Sequence, residues 1–272
     1  MKAMRILDRA AILLLNLFLL LVSITIPAIS VAATPAFYEK QFEKTGIYAT
    51  LDENGEETRA YIHYIGGKAR QTARFSDEQI DVIIHHIVDY LFTDQESFEL
   101  KMDGVELNGK TQDGVEIFGE IAVEHMIEVK DLFELAIVLT TIMLALLVGL
   151  TVYLICRFKH VAPLLLKYTL IFYAIVFTLA GAFLGWVAID AKKTGYDFTM
   201  QLWRNFHHIL FPFQADKFTG SFFNDTLTSV LTLDFFLAAI VTVLIVMGVT
   251  LTAWFGIAIF GKVQSKRKFK KI

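Results

Sequence analysis

The chain has 272 residues, 55% of them hydrophobic and 19% charged, with a mean hydropathy of +0.54 and a formal net charge of -3. Soluble domains carry about 25% charged residues. The shortfall here is concentrated in a few long apolar runs, which excludes an ordinary soluble domain and points to membrane spans. The single cysteine, Cys156, excludes an intrachain disulfide, a cysteine zinc ribbon and a dithiol redox motif. At the end of an apolar run beside Arg157 it reads as a small buried residue.

Crossing about 30 Å of hydrocarbon at about 1.5 Å per residue takes about 20 apolar residues. Four runs qualify: 10–29, 135–156, 163–188 and 235–260. Each must be helical, because lipid offers no partner to a bare backbone group. Lys2, Arg5 and Arg9 precede the first run, Arg157 and Lys159 join the second to the third, and Lys262, Lys266, Arg267, Lys268, Lys270 and Lys271 follow the fourth. With four spans all three segments share one side, and their positive charge makes that side cytoplasmic. The last cluster suits anionic lipid head groups rather than nucleic acid. Arg5 and Arg9, the apolar run and Val31, Ala32 and Ala33 also resemble a signal peptide with its cleavage site. The run of about 20 residues is long for one; cleavage would leave three spans and the same outer segments.

Between the first two runs lie about 100 residues, enough for a small domain, including the acidic Asp52, Glu53, Glu56 and Glu57. The stretch 61–74, broken at Gly66-Gly67, reads as a loop on the membrane face. Residues 75–92 read as a helix, with Ser76 and Gln79 forming a capping box and Ile80, Ile83, Ile84, Ile87, Val88 and Leu91 making one apolar face. His85 and His86 fall off that face and read as exposed and incidental. Phe98, Leu100 and Met102 alternate before Asp103-Gly104, and Val105 and Leu107 follow, the pattern of a hairpin; Val115 and Ile117 offer a third strand. From Gly119 the period turns helical again, with Ile121, Ala122, His125, Val129, Leu132 and Phe133 on one face of a helix that continues into the second span. His125 therefore sits on an apolar face a few turns beyond the hydrocarbon. It is either a core histidine bonded to a backbone carbonyl or an acid–base residue facing a site at the membrane boundary.

The segment 196–223 has nine aromatics in 28 residues: Tyr196, Phe198, Trp203, Phe206, Phe211, Phe213, Phe218, Phe222 and Phe223. Aromatics gather at membrane interfaces, and Arg204, Asn205, His207 and His208 among these rings suit the wall of an acyl-chain pocket. His207 and His208 are adjacent and cannot face one way in a helix. No Glu-x-x-His accompanies them, so no metal is expected. The organisation is then 1–32 first transmembrane helix, 33–134 extracellular cap, 135–189 second and third helices with a short cytoplasmic turn, 190–234 aromatic-rich interfacial loop, and 235–272 fourth helix and basic tail. The fold class is an all-α transmembrane four-helix bundle with a small mixed α+β extracellular cap.

His125-Met126-Ile127-Glu128-Val129-Lys130 resembles the His-Met-x-Asp-Val-Lys motif of the bacterial lipoprotein intramolecular transacylase family. The segment from Trp203 through Phe206, His207 and His208 to Phe211 resembles that family's Phe-His-x-Ile-Leu-Phe segment. Asp225-Thr226-Leu227 and Asp234-Phe235-Phe236 resemble its closing block. Phe37-Tyr38 with Phe42, Lys44 and Gly46 resembles the start of its first outer loop. Glu128 replaces the usual aspartate, Leu233-Asp234 replaces Pro-Glu, and no Gly-x-Trp follows Phe211-Pro212.

The resemblance implies transfer of the sn-2 acyl chain of a diacylglyceryl lipoprotein onto the α-amino group of its N-terminal cysteine, without cofactor or metal. It maps the catalytic histidines onto His125 and His207. Trp203, Arg204, Phe206, His208, Phe211, Glu128 and Asp225 are the expected substrate-binding residues, with Arg204, Glu128 and Asp225 candidates for orienting the histidines. An amine with a pKa near 8 must lose a proton to attack and a glyceryl oxygen must gain one to leave. Histidine can do either near neutral pH. The implied partners are diacylated lipoprotein and membrane lipid, with no nucleic acid.

The rival class is a non-enzymatic sensor or assembly protein whose cap binds a protein, favoured by the size of the cap and the lack of a Gly-x-Ser-x-Gly nucleophile motif. A membrane metalloprotease lacks the His-Glu-x-x-His it needs. A transporter is disfavoured because the four runs hold almost no ionisable residue beyond Lys167.

Overall fold

The computed structural model describes residues 2–51, 54–55, 57–58, 62–63, 65–67, 71–194, 201 and 225–269. In chain order the helices are α1 (Lys2–Ala32), α2 (Pro35–Lys44), α3 (Asp77–Phe92), α4 (Glu120–Cys156), α5 (Phe158–Thr194), α6 (Thr226–Val230) and α7 (Leu233–Phe269). The strands are β1 (Thr50–Leu51), β2 (Glu57–Thr58), β3 (Ile62–His63), β4 (Thr72–Arg74), β5 (Lys101–Met102), β6 (Val105–Leu107), β7 (Lys110–Gln112) and β8 (Val115–Glu116).

Among the described residues, four helices are long and apolar enough to cross a membrane: Met4–Ala32, Glu120–Cys156, Leu164–Asp190 and Asp234–Val263. Large apolar side chains such as Val148, Ile155, Leu179 and Val249 stand two-thirds exposed on them. That is the surface lipid covers and water does not. The chain divides into two compact units, one made of 1–27, 137–206 and 243–272 and the other of 28–136 and 207–242.

Polar side chains hold the interior of the first unit. Asn16 donates to the Ile12 carbonyl and to Thr169 Oγ1, and accepts from Trp254 Nε1, joining α1, α5 and α7. Asp8, buried, accepts from Tyr153 Oη at 2.8 Å and pairs with Arg157 at 3.2 Å. The first apolar run is thus an integral part of this unit. Asp8 escaped the sequence reading because it lies just ahead of the run. Cys156 corrects another expectation: as the last residue of α4 it is exposed, not buried.

The second unit has one apolar core. Ile80, Ile83, Ile84 and Ile87 of α3 are almost wholly buried there, with Phe98, Ile117, Phe118, Leu227, Val230 and Phe235. Each such side chain contributes about 1.5–3 kcal/mol as an upper figure. The capping box of α3 forms as the sequence predicts: Gln79 N–H donates to Ser76 Oγ at 3.2 Å and Ser76 N–H to Gln79 Oε1 at 2.9 Å. Helix α2 is not among the expected elements, although Pro35 occupies the favoured first-turn position and Tyr38 and Phe42 belong to its buried face.

The hairpin expected at Asp103-Gly104 is replaced by a different pairing. Strand β5 pairs with β8, while β6 pairs with β7 in a four-stranded antiparallel sheet ordered β3-β4-β6-β7. The hairpin turn is Asn108-Gly109, where both residues have positive φ, 51° and 77°, as a tight two-residue turn requires. Asp103-Gly104 instead passes from one sheet to the other. It lies against a second Asp-Gly turn, and the two exchange bonds: Gly114 N–H donates to Asp103 and Gly104 N–H to Asp113. The stretch 61–74, expected as a loop, carries β3, a 3-10 turn at Ile65–Gly67 and β4. His86 is not incidental. Its Nε2–H donates to the Phe98 carbonyl at 3.0 Å, its Nδ1 accepts from Gln95 at 3.2 Å, and its ring stacks on Phe118.

Candidate active site

Helix α4 begins at Glu120 and runs unbroken through Cys156. The helix that carries His125 therefore also forms a span, as the sequence predicts. Its first turns dock on the core of the second unit through Ala122 and Met126, both buried, with Val129 and Phe133 packed alongside. His125 lies among them, 6% exposed. Within the motif 125–130, structural tasks account for three residues. Met126 is core and Val129 packs on it. Lys130 Nζ donates to the Thr93 and Gln95 carbonyls at 3.0 and 2.8 Å and lies 4.8 Å from the Tyr90 ring centroid, closing off the C-terminal end of α3. The remaining acid–base groups are His125 and Glu128, one turn apart and on one face.

The start of α4 is pinned from a distant part of the chain. Asp225 caps α6: its Oδ1 accepts from Leu227 N–H at 3.0 Å. Its Oδ2 accepts from Gly119 N–H at 2.8 Å, one residue ahead of α4. Thr226, fully buried, donates to the Ile117 carbonyl at 2.5 Å. Burial pushes the Asp225 carboxyl above the usual carboxylate range, and the N–H groups of Leu227, Gly119 and Gly67 oppose that rise. Glycine is required at this junction by close approach. A Cβ on Gly119 would lie 2.9 Å from Asp225 Oδ2, the Gly66 carbonyl carbon and the Gly67 nitrogen. A Cβ on Gly66 would lie 2.8 Å from the Glu116 carbonyl oxygen.

A cavity of about 230 Å³ opens at this junction, lined by Gly66, Gly67, Gly119, Glu120, Ile121, Ala122 and Asp225. His125 follows Ile121 and Ala122 by one turn of α4. The structure thus brings His125, Glu128 and Asp225 into one unit. Trp203, Arg204, Phe206, His207, His208 and Phe211 lie outside the described residues. Among the described residues, no group of three or more His, Cys, Asp or Glu has the geometry to hold a metal ion. Sequence reasoning did not find the roles of Lys130, Gly66 and Gly119. The Gly66-Gly67 pair was the one signal of tight approach.

Four long apolar helices and a small α+β unit, with a buried histidine in the second turn of one of those helices, define a multi-pass membrane protein. The family model described as "Lipoprotein intramolecular transacylase Lit" matches residues 10–236. The chain belongs to the lipoprotein intramolecular transacylase family, whose members are acyltransferases acting on lipoproteins. Among solved structures it is similar to the membrane integral lipoprotein intramolecular transacylase of Bacillus cereus. The likeness covers 96% of this chain and 98% of that one, with a TM-score of 0.57 and 14% sequence identity, and it shows a shared fold. No curated protein matches the chain.

Proposed function

We propose that this chain moves the sn-2 acyl chain of a diacylglyceryl lipoprotein to the α-amino group of the same molecule's N-terminal cysteine, using His125 and His207. The observation that carries the reading is His125 itself: a buried histidine in the second turn of a spanning helix whose first turn lines a cavity, inside a chain matched to the family over residues 10–236. The amine nitrogen attacks the ester carbonyl carbon, the new N–C bond forms and the bond to the glyceryl oxygen breaks. One histidine takes the proton the amine loses, and the other gives a proton to the departing glyceryl oxygen. Positioned acid–base groups supply about 10²–10⁴-fold. Holding amine and ester together in one pocket adds an effect of at least that order. Trp203, Phe206 and Phe211 would wall the acyl chains and exclude water that would otherwise hydrolyse the ester. Arg204, His208 and Glu128 would orient the head group or the imidazoles.

Positive charge at both ends of the chain and between the second and third spans supports a topology with cytoplasmic termini and the cap outside. That side is where a diacylated lipoprotein presents its lipidated N-terminus. The test is expression in a host that makes only diacylated lipoprotein, followed by mass spectrometry of the N-terminal lipopeptide. The expected product carries one acyl chain on nitrogen and one on glycerol. His125→Ala and His207→Ala each abolish it while the protein stays in the membrane. An unchanged lipopeptide with the wild-type chain present, or full activity in either variant, defeats the assignment.

A further inference from the structure

The residue from which the His125 helix begins is tied to a distant part of the chain by a single carboxylate. Asp225 lies 18 positions beyond His207 in the chain, and its Oδ2 holds the N–H of Gly119, the residue from which α4 and His125 begin. The bond is made in a place with no slack. Asp225 is 2% exposed, and backbone atoms of Gly66 and Gly67 lie 2.9 Å from where a Cβ on Gly119 would stand. His125 lies six residues along the helix, about 9 Å at 1.5 Å per residue. A small tilt at Gly119 therefore becomes a displacement of the imidazole. One oxygen of Asp225 serves its own helix through Leu227, so the same side chain caps α6 while the other oxygen holds Gly119.

We propose that Asp225 is a positioning residue of the transacylase: by tying Gly119 to the cap of α6 it sets the aim of His125. This rests on the function proposed above and adds to it a residue that acts through another rather than on substrate. The alternative is that Asp225 only holds the fold together. The two differ in what happens to the protein that does fold.

Two substitutions separate them. Asp225→Asn keeps the shape but offers one acceptor oxygen, which cannot serve both Leu227 and Gly119. Asp225→Ser can still cap α6 but is too short to reach Gly119. Full-length variants are purified, the monodisperse fraction is taken, and kcat and KM are measured on a diacylated lipopeptide by mass spectrometry. Ser76→Ala, which removes the cap of α3 away from this junction, controls for a plain loss of stability. Positioning predicts that kcat of both folded Asp225 variants falls about ten- to a hundredfold, as misplacement of a catalytic group does, while KM is unchanged. Ser76→Ala lowers the melting temperature and keeps wild-type kcat.

Wild-type kcat in either folded variant overturns the proposal, as does a loss confined to KM. Failure of both variants to accumulate as monodisperse protein while Ser76→Ala does so also overturns it, in favour of a purely architectural Asp225. A wild-type protein with no transfer activity would sink the function itself, an outcome distinct from all of these.

Discussion

Trp254 Nε1 donates to Asn16 Oδ1 at 3.0 Å, joining the last spanning helix to the first. The same Asn16 amide donates to Thr169 Oγ1 on α5 at 3.2 Å, so one side chain touches three helices. Lipid tails give no hydrophobic reason for these helices to meet; packing and polar contacts must supply it. Interhelical hydrogen bonds in membranes average only about 0.6 kcal/mol. Asn16→Ala should therefore cost about 1–2 kcal/mol, enough to lower the unfolding midpoint in bicelles without preventing assembly. The Tyr173 hydroxyl, which donates to the Asn16 main-chain carbonyl, keeps its acceptor in this variant. Complete loss of folded protein would mean the network carries far more than its bonds.

The Asp8–Arg157 pair behaves asymmetrically. Asp8 is nearly inaccessible, whereas the Arg157 side chain is about a quarter exposed. Removing the arginine leaves a carboxylate inside the protein without its counter-charge, while removing the aspartate leaves a cation that can turn to solvent. Arg157→Ala should lower the melting temperature more than Asp8→Ala, and the double variant should recover part of that loss. Equal effects, or a double variant that equals the sum of the singles, would show that the two charges act independently.

Gly119→Ala tests the tight junction directly. Its new methyl would lie 2.9 Å from two backbone atoms, which cannot swing aside, and from the Asp225 carboxylate oxygen that holds Gly119 itself. Overpacking of this kind costs about 1–3 kcal/mol. The expected result is a lower melting temperature together with reduced transfer by the folded fraction. A variant that melts like the wild type would show that the junction is looser than its distances.

What could be read in advance follows from how local each constraint is. Spans are written in composition, because lipid demands about 20 apolar residues and a helix from every one of them. Helix α3 is written in Ser76, Gln79 and a row of isoleucines, all within 16 residues. Strands of two or three residues are too short to show alternation, so the pattern places the hairpin at Asp103-Gly104 rather than at Asn108-Gly109. The use of His86 depends on Phe98 and Phe118, which pattern alone cannot bring beside it. At the candidate site, His125 was legible as a lone histidine on an apolar face. The bond from Gly119 to Asp225 spans 106 positions, and nothing in either local sequence announces the other.

Asp225 also gives stability a particular dependence on pH. Burial raises its carboxyl above the usual range in the folded protein, and the three backbone N–H groups offset that only in part. Unfolded, the group titrates at about 3.9. Between that value and the raised one, the folded chain holds a proton that the unfolded chain has lost. Stability from this group therefore falls as pH rises through the window and is level above it. Asp225→Asn removes the titration but keeps Glu120, which lines the same cavity, so the neighbour cancels in the comparison. Melting temperatures of the two proteins from about pH 4 upward should show the wild-type advantage shrinking as the solution becomes less acidic. An advantage that grows with pH would mean that the backbone donors outweigh burial and that the carboxylate is the form the fold prefers.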